Sequence, residues 1–499
     1  MCTLRFKALL LLLSCCIVSA CATRPVNPPI DKVEDSKIYG FERKGQTNAQ
    51  AKTLVALAFS GGGTRAAAFS YGVLETLNRT EFINDNGSQS RLIDHVDVIT
   101  GVSGGSFTAL AYGLYGNKLF DNYEQQFLKR NVQGELIARS LNPINWGYLS
   151  STGWGRSELA ADLYDEILFN GATFADLDRQ NGPVIAVSAT DLATGSRIMF
   201  TPSNFDAMCS DLGSFRLARA AAASSAVPVV LSPLTINNYG GRCGKKMPLW
   251  FVPFLNQKDP PRPAARTFER IKELTALMDG GDPYLHLVDG GISDNLGLRS
   301  GLEVFNWMEA LHEAGRDTPL DHVNQIVVVV VNSMSTPKTD WNKSEDPPGT
   351  LSILVKAAGV PIDRYSNEQI EQLRDIESRW NAMRSLRDLP AIKKIPPNES
   401  NAALNAIRQV PNAKIYVVNI SFDGVPDAAE REYLNQLPTS FTLPDEAVDR
   451  LRSAASAALL NSSDFQQLLH DANARIVEIP STAPTHAEEK IPVQIEPGS

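Results

Sequence analysis

Along most of this chain, short apolar runs closed by glycine or polar turns alternate with longer stretches of helical spacing. Residues 53–59, 95–100, 183–188, 197–200, 285–288 and 326–331 have the length and composition of strands. The run from 326 to 331 shows no alternation of apolar and polar positions, the pattern of a strand buried on both faces. Residues 66–78, 105–115 and the alanine-rich 215–225 read as helices. Strands alternating with helices predict an α/β fold, its central sheet mainly parallel and covered by helices on both faces. The pattern lapses around 245–282 into a Pro-rich stretch, read as an insertion in a domain spanning 51–335. Beyond it, a mainly helical C-terminal region over 336–478 is expected. Within it, 351–389 and 446–469 are helices and 415–421 is a strand. Residues 479–499 read as a disordered tail, and no internal repeat is present.

The amino terminus follows a different logic. Arg5 and Lys7 precede an uncharged apolar run of thirteen residues, 8–20. It is too short to cross about 30 Å of hydrocarbon as a helix, but it suits the core of a signal peptide. Val18-Ser19-Ala20-Cys21, with a polar, Pro-rich stretch behind it, resembles the lipobox of a bacterial lipoprotein signal. That resemblance implies a signal peptide over 1–20, lipidation of Cys21 and a polar tether over 21–50. Ala22 in place of Asp implies the outer membrane of a bacterial envelope. Val18 stands where Leu is commonest. Leu12-Leu13-Ser14-Cys15 is a second, shorter match, and an ordinary secretory signal is the remaining reading. Cys2, Cys15 and Cys16 would leave with the signal. Cys209 and Cys243 then remain as a candidate disulfide of an exported chain, or as two unpaired buried thiols.

Composition narrows the partners. The 499 residues are 43% hydrophobic and 21% charged, which excludes a disordered or coiled-coil chain. Loss of Arg5 and Lys7 with residues 1–20 takes the formal charge from −9 to −11. An acidic chain with no basic run is a poor binder of nucleic acid, and charge alone does not draw it to a membrane. No CxxC or Cys/His cluster has metal-ligand spacing, so neither a metal nor a cofactor is expected. Nothing in the sequence names a protein partner.

Three glycine-rich segments at strand ends carry the chemistry. Gly101-Val102-Ser103-Gly104-Gly105 is a G-x-S-x-G between a strand and a helix. Such a sharp turn thrusts the serine oxygen out at the carboxyl end of a sheet, beside the free N–H groups of a helix amino terminus. Ser60-Gly61-Gly62-Gly63-Thr64-Arg65 exposes N–H groups to a negative oxygen. No Gly-Lys-Ser/Thr follows, so the nucleotide-loop alternative is weak. Asp289-Gly290-Gly291-Ile292-Ser293-Asp294-Asn295 puts a carboxylate at the end of an apolar strand, within reach of a serine presented by another strand. A second Asp-Gly-Gly at 279–281 has neither a strand before it nor Asp-Asn after it. In each case the plainer reading is a structural turn.

In this order and these strand contexts, the three segments resemble the patatin-like phospholipases. Ala223-Ser224-Ser225-Ala226-Val227-Pro228 is similar to that family's fourth recurrent segment. The resemblance covers about residues 50–335 and implies a three-layer α/β fold with Ser103 as nucleophile and Asp289 as its partner in a Ser–Asp dyad. It also implies an oxyanion hole from Gly61, Gly62 and Gly63 with Arg65 beside it, and membrane lipid esters as substrate. Ala66 departs from the family, where Gly is common. A triad would need a histidine after the aspartate in chain order. His312 falls in a helix, His322 precedes a strand at its amino end, His470 lies in the C-terminal region and His286 lies inside a strand. None suits a general base, so a dyad is expected. The alternatives are a thioesterase or general carboxylesterase on the same dyad, or a non-catalytic envelope lipoprotein acting as a binding module.

Overall fold

The computed structural model describes residues 24–33, 53–83, 89–149, 151, 154–178, 182–228, 230–246, 262–313, 318–396 and 401–477. The expected signal peptide, Cys21, most of the tether and the tail over 479–499 lie outside the described residues. The strands are β1 (Thr53–Phe59), β2 (Thr80–Ile83), β3 (Gln89–Arg91), β4 (Val96–Val102), β5 (Val184–Asp191), β6 (Arg197–Met199), β7 (Leu234–Asn237), β8 (Tyr284–Asp289), β9 (Gln325–Asn332), β10 (Lys414–Ser421) and β11 (Ala474–Ile476). The helices that build and flank the site are α1 (Gly63–Asn78), α2 (Gly104–Tyr115), α3 (Val132–Leu141), α4 (Pro143–Leu149), α5 (Arg156–Tyr164), α6 (Leu217–Ser224), α7 (Arg262–Asp279), α8 (Arg299–Glu313), α9 (Thr350–Arg387) and α10 (Asp445–Asn461).

The large sheet runs β10-β9-β1-β4-β5-β8-β7, with β6 paired to β5. Its pairs from β10 to β5 are parallel, whereas β8, β7 and β6 run antiparallel to their neighbours. Because side chains alternate along a strand, the apolar run of β9 serves two cores at once. Val327, Val329 and Val331 pack into the core that holds Phe69 and Leu74 of α1 and Phe107 of α2. Ile326, Val328 and Val330 pack on the opposite face with Phe305 of α8 and Leu373 and Trp380 of α9. The three-layer expectation is met in this way. No helix among the described residues is long and apolar enough to cross a membrane.

The C-terminal region is more closely integrated than a helical extension. β10 extends the large sheet beside β9, α10 covers α1, and β11 pairs with β2 in a second sheet, β11-β2-β3. The contact of α10 with α1 is close enough that a Cβ on Gly72 would stand 2.7 Å from Arg452 Cα. In the region read as an insertion, α7 presents Phe268, Ile271, Leu274 and Met278 at helical spacing, a pattern hidden behind Pro260, Pro261 and Pro263.

Residues 24–33, expected within a tether, are docked on the domain. The Ile30 N–H donates to the Cys209 carbonyl at 2.8 Å, and the Asp211 N–H donates to the Pro28 carbonyl at 3.0 Å. Buried Asn27 donates to Ser210 Oγ at 2.7 Å. Cys209 and Cys243 are joined as a disulfide, with Cα atoms 5.5 Å apart and a separation of 34 in sequence. Closing a loop of that length stabilises by at most about 4 kcal/mol through the unfolded chain. Reduction, or Cys243→Ser, is expected to lower the thermal midpoint by several degrees. An unchanged midpoint with and without reductant would refute this.

Candidate active site

β1 and β4 are parallel neighbours with Phe59 opposite Gly101, so the loops leaving their carboxyl ends lie side by side. One carries the glycines and the other carries Ser103. The serine sits at φ 49°, ψ −119°, a left-handed conformation that an L-residue adopts only where the surroundings hold it. The neighbouring glycines are explained by the approach of the two loops. A Cβ on Gly104 would collide with the Gly63 carbonyl, and one on Gly105 would stand 2.6 Å from the Ser60 carbonyl oxygen. The amino ends of α1 and α2 meet here, and neither helix has an acidic residue in its first turn. The local field therefore favours an anion.

Asp289 arrives from β8, whose last residue pairs with Ala189 of β5 in an antiparallel register. The Ser103 hydroxyl donates to Asp289 Oδ2 at 2.8 Å, and the Gly291 N–H donates to Oδ1 at 2.8 Å. Burial pushes the Asp289 carboxyl up to about 6, opposed in part by those two hydrogen bonds. Ser224, at the end of α6, joins both halves of the pair. Its Oγ accepts the Ser103 N–H at 2.9 Å, and its carbonyl accepts the Gly290 N–H at 3.0 Å. The Asp289 N–H donates to the carbonyl of Ala226 at 3.0 Å. The fourth recurrent segment is thus a bracket between the serine turn and the aspartate loop.

The glycine loop divides differently from the expectation. Gly61 donates its N–H to the Asn295 carbonyl at 2.9 Å, so that donor is already used. The N–H groups of Gly62 and Gly63 have no protein partner among the described residues. Arg65 lies buried under the loop, with each of its three guanidinium nitrogens hydrogen-bonded to the protein. Nε reaches the Ser333 carbonyl at 2.8 Å, Nη1 the Leu437 carbonyl at 2.6 Å and Nη2 the Thr439 hydroxyl at 3.2 Å. Burial lowers its pKa to about 10, opposed in part by the carboxylate of Asp363. Arg65 therefore fastens the loop to the C-terminal region, with three of its five N–H groups used in doing so. Ala66 is fully buried in the first turn of α1, which remains regular helix there.

Three supporting residues were not singled out from the sequence for these roles. Ser333, just past β9, donates its N–H to Ser60 Oγ at 2.9 Å and its hydroxyl to the Gly61 carbonyl at 3.0 Å. Asn295 holds Gly61, and Ser224 holds Ser103. A polar residue directly after a buried strand, or closing a buried helix, is the available signal for Ser333 and Ser224.

The four histidines weighed as general bases are elsewhere. His312 Nδ1 pairs with Asp321 at 2.8 Å and its Nε2 meets the Gln409 carbonyl, while His322 precedes β9 at the amino end of the sheet. His286 is an exposed cross-strand partner of Thr235, and His470 is exposed beside Asp471. The Asp-Gly-Gly at 279–281 closes α7 and leads into β8.

No curated protein sequence matches the chain significantly. Among solved structures, human GIVD cytosolic phospholipase A2 is 13% identical, with 84% of this chain and 60% of that one covered and a TM-score of 0.36. VipD from Legionella pneumophila is 12% identical, with coverages of 93% and 73% and a TM-score of 0.26. Full-length ExoU of Pseudomonas aeruginosa, in complex with SpcU, is 14% identical, with coverages of 84% and 73% and a TM-score of 0.20. The chain thus spans about 60% of the human enzyme's length, and likeness at these scores adds nothing to the geometry above. The model of the patatin-like phospholipases matches residues 57–302, a span that holds the glycine loop, Ser103 and Asp289. Over these residues the chain carries a patatin-like phospholipase domain.

Proposed function

We propose that the chain is a serine acyl hydrolase of phospholipase A type, which releases fatty acids from membrane lipid esters through Ser103 and Asp289. The observation that carries this reading is the 2.8 Å hydrogen bond from the Ser103 hydroxyl to a buried carboxylate whose pKa is raised to about 6. A carboxylate of ordinary pKa is a feeble base for a hydroxyl. Burial brings this one closer to the operating pH, while Gly291 keeps it aimed.

In the first step Asp289 takes the Ser103 proton as Oγ attacks the ester carbonyl. The tetrahedral oxyanion is received by the N–H groups of Gly62 and Gly63, where preorganised donors contribute about 3–4 kcal/mol each. Asp289 returns the proton to the leaving alkoxide, freeing the lysolipid. Water then attacks the acyl-serine with Asp289 again as base, releasing the fatty acid. An exported chain held in the bacterial outer membrane through a lipid on Cys21 would meet such esters directly.

The direct test is labelling by a fluorophosphonate probe, with the modified peptide identified by mass, alongside fatty-acid release from phosphatidylcholine vesicles. Phosphonylation of Ser103 together with release is the expected result. No labelling and no release would remove the hydrolase reading.

A further inference from the structure

α3 and α4 carry an apolar surface that the fold does not use. Within twelve residues, Ile137, Leu141, Ile144, Trp146 and Tyr148 are all exposed, Leu141 to 69%, Ile144 to 77% and Trp146 to 57%. α3 sinks only Val132 and Leu136 into the protein, and α4 buries none of its side chains. The sequence from 140 to 155 contains no charged residue, in a chain of formal charge −9. The charges around it neutralise one another, Arg130 with Glu135 and Arg139 with Glu166, each pair at 2.6 Å.

The patch is continuous with the rim of the site. In the first turn of α3, Gln133 Oε1 accepts the Phe441 N–H at 3.2 Å. The preceding residue, Ser440, accepts the Thr64 N–H at 2.8 Å and lies against Gly63 of the glycine loop. On the other side α3 packs on α5, whose Glu158 is paired with Arg219 of α6 at 2.7 Å, and α6 ends in the Ser224 that holds Ser103.

We infer that this patch is the surface by which the protein lies against a lipid bilayer and brings membrane esters to Ser103. The inference rests on the acyl-hydrolase reading. Aliphatic tips beside an indole and a phenol suit the boundary between head groups and acyl chains, where an amphipathic ring keeps its polar end wet. Neutrality matters as much. A chain of net negative charge is repelled less by an anionic leaflet at an uncharged face than at an acidic one. An uncharged patch also offers a protein partner no charge pairing to fix its orientation.

The test compares the full chain with its Ile144→Glu/Trp146→Glu variant on phosphatidylcholine vesicles and on p-nitrophenyl butyrate, a soluble ester. Vesicle turnover is expected to fall tenfold or more in the variant, with turnover of the butyrate within twofold of wild type. Equal loss on both esters, or no loss on vesicles, overturns the inference. Docking is read without catalysis in the Ser103→Ala chain, as quenching of tryptophan emission by phosphatidylcholine brominated on its acyl chains. Quenching that disappears with Trp146→Phe supports docking even if the wild type hydrolyses neither ester, in which case only the hydrolase reading has failed. Hydrolysis of vesicles without such quenching overturns the docking alone. A concentration-dependent dimer abolished by Ile144→Glu, again without quenching, assigns the patch to a second copy of the chain.

Discussion

Ser103→Ala and Asp289→Asn are each expected to lower fatty-acid release by about a thousandfold or more, because the two side chains act as one unit and neither works alone. The variants separate in stability. A buried carboxyl with a pKa near 6 in the folded chain, against about 3.9 unfolded, makes the native state bind the extra proton between those values. Stability from this group is therefore present below about pH 4 and lost as pH rises through about 6. At pH 7 and above its burial costs on the order of 3 kcal/mol. Asp289→Asn removes that charge while keeping an acceptor for the Gly291 N–H, so its thermal midpoint at pH 8 is expected to rise above wild type as activity disappears. The wild-type kcat/KM is expected to fall tenfold per pH unit below about 6, where the base is protonated, and to level off above it. Stopped assays across pH 4–9 and thermal melts of the three proteins check both statements. Full activity at pH 4, or a lower midpoint for Asp289→Asn, would count against the dyad as described.

A chain ended before Lys414 is expected not to fold, although it keeps Ser103, Asp289 and the glycine loop. Deletion removes β10 from the edge of the large sheet and α10 from the face of α1. Ile415, Val417, Val418, Ile420, Val448, Leu451 and Leu459 are all buried there at 1% exposure or less. At about 1.5–3 kcal/mol for each large apolar side chain, the seven together come to about 10–20 kcal/mol as an upper estimate. That matches or exceeds the whole net stability of an ordinary domain, about 5–15 kcal/mol. The deletion also strips the glycine loop, since Arg65 loses Leu437 and Thr439 and Thr64 loses Ser440. Circular dichroism and a thermal scan of the shortened chain decide it. A cooperative transition near the wild-type midpoint, with fluorophosphonate still labelling Ser103, would show residues 57–302 to be closer to a self-sufficient unit.

Much of the site was legible because its chemistry is local. The turn at Ser103 needs small neighbours within two residues. A strand buried on both faces has no polar positions, and a carboxylate at a strand end is followed by residues that can bend. Each of these leaves a pattern in a window of five to ten positions, as at 101–105, 289–291 and 326–331. Helix α7 escaped because its spacing begins behind three prolines.

The partners of the polar groups could not be read the same way. That Gly61 spends its N–H on Asn295 while Gly62 and Gly63 keep theirs depends on a hydrogen bond across more than two hundred residues. That Arg65 reaches beneath the loop to a segment at 437–439, and that residues 24–33 dock on the loop around Cys209, follow from the tertiary packing. Local sterics and periodicity declare which groups must be satisfied or exposed. The choice of partner among many equivalent carbonyls and hydroxyls follows from which strands and helices pack together. Periodicity does not record that packing, because any strand of suitable composition could occupy the edge that β10 takes.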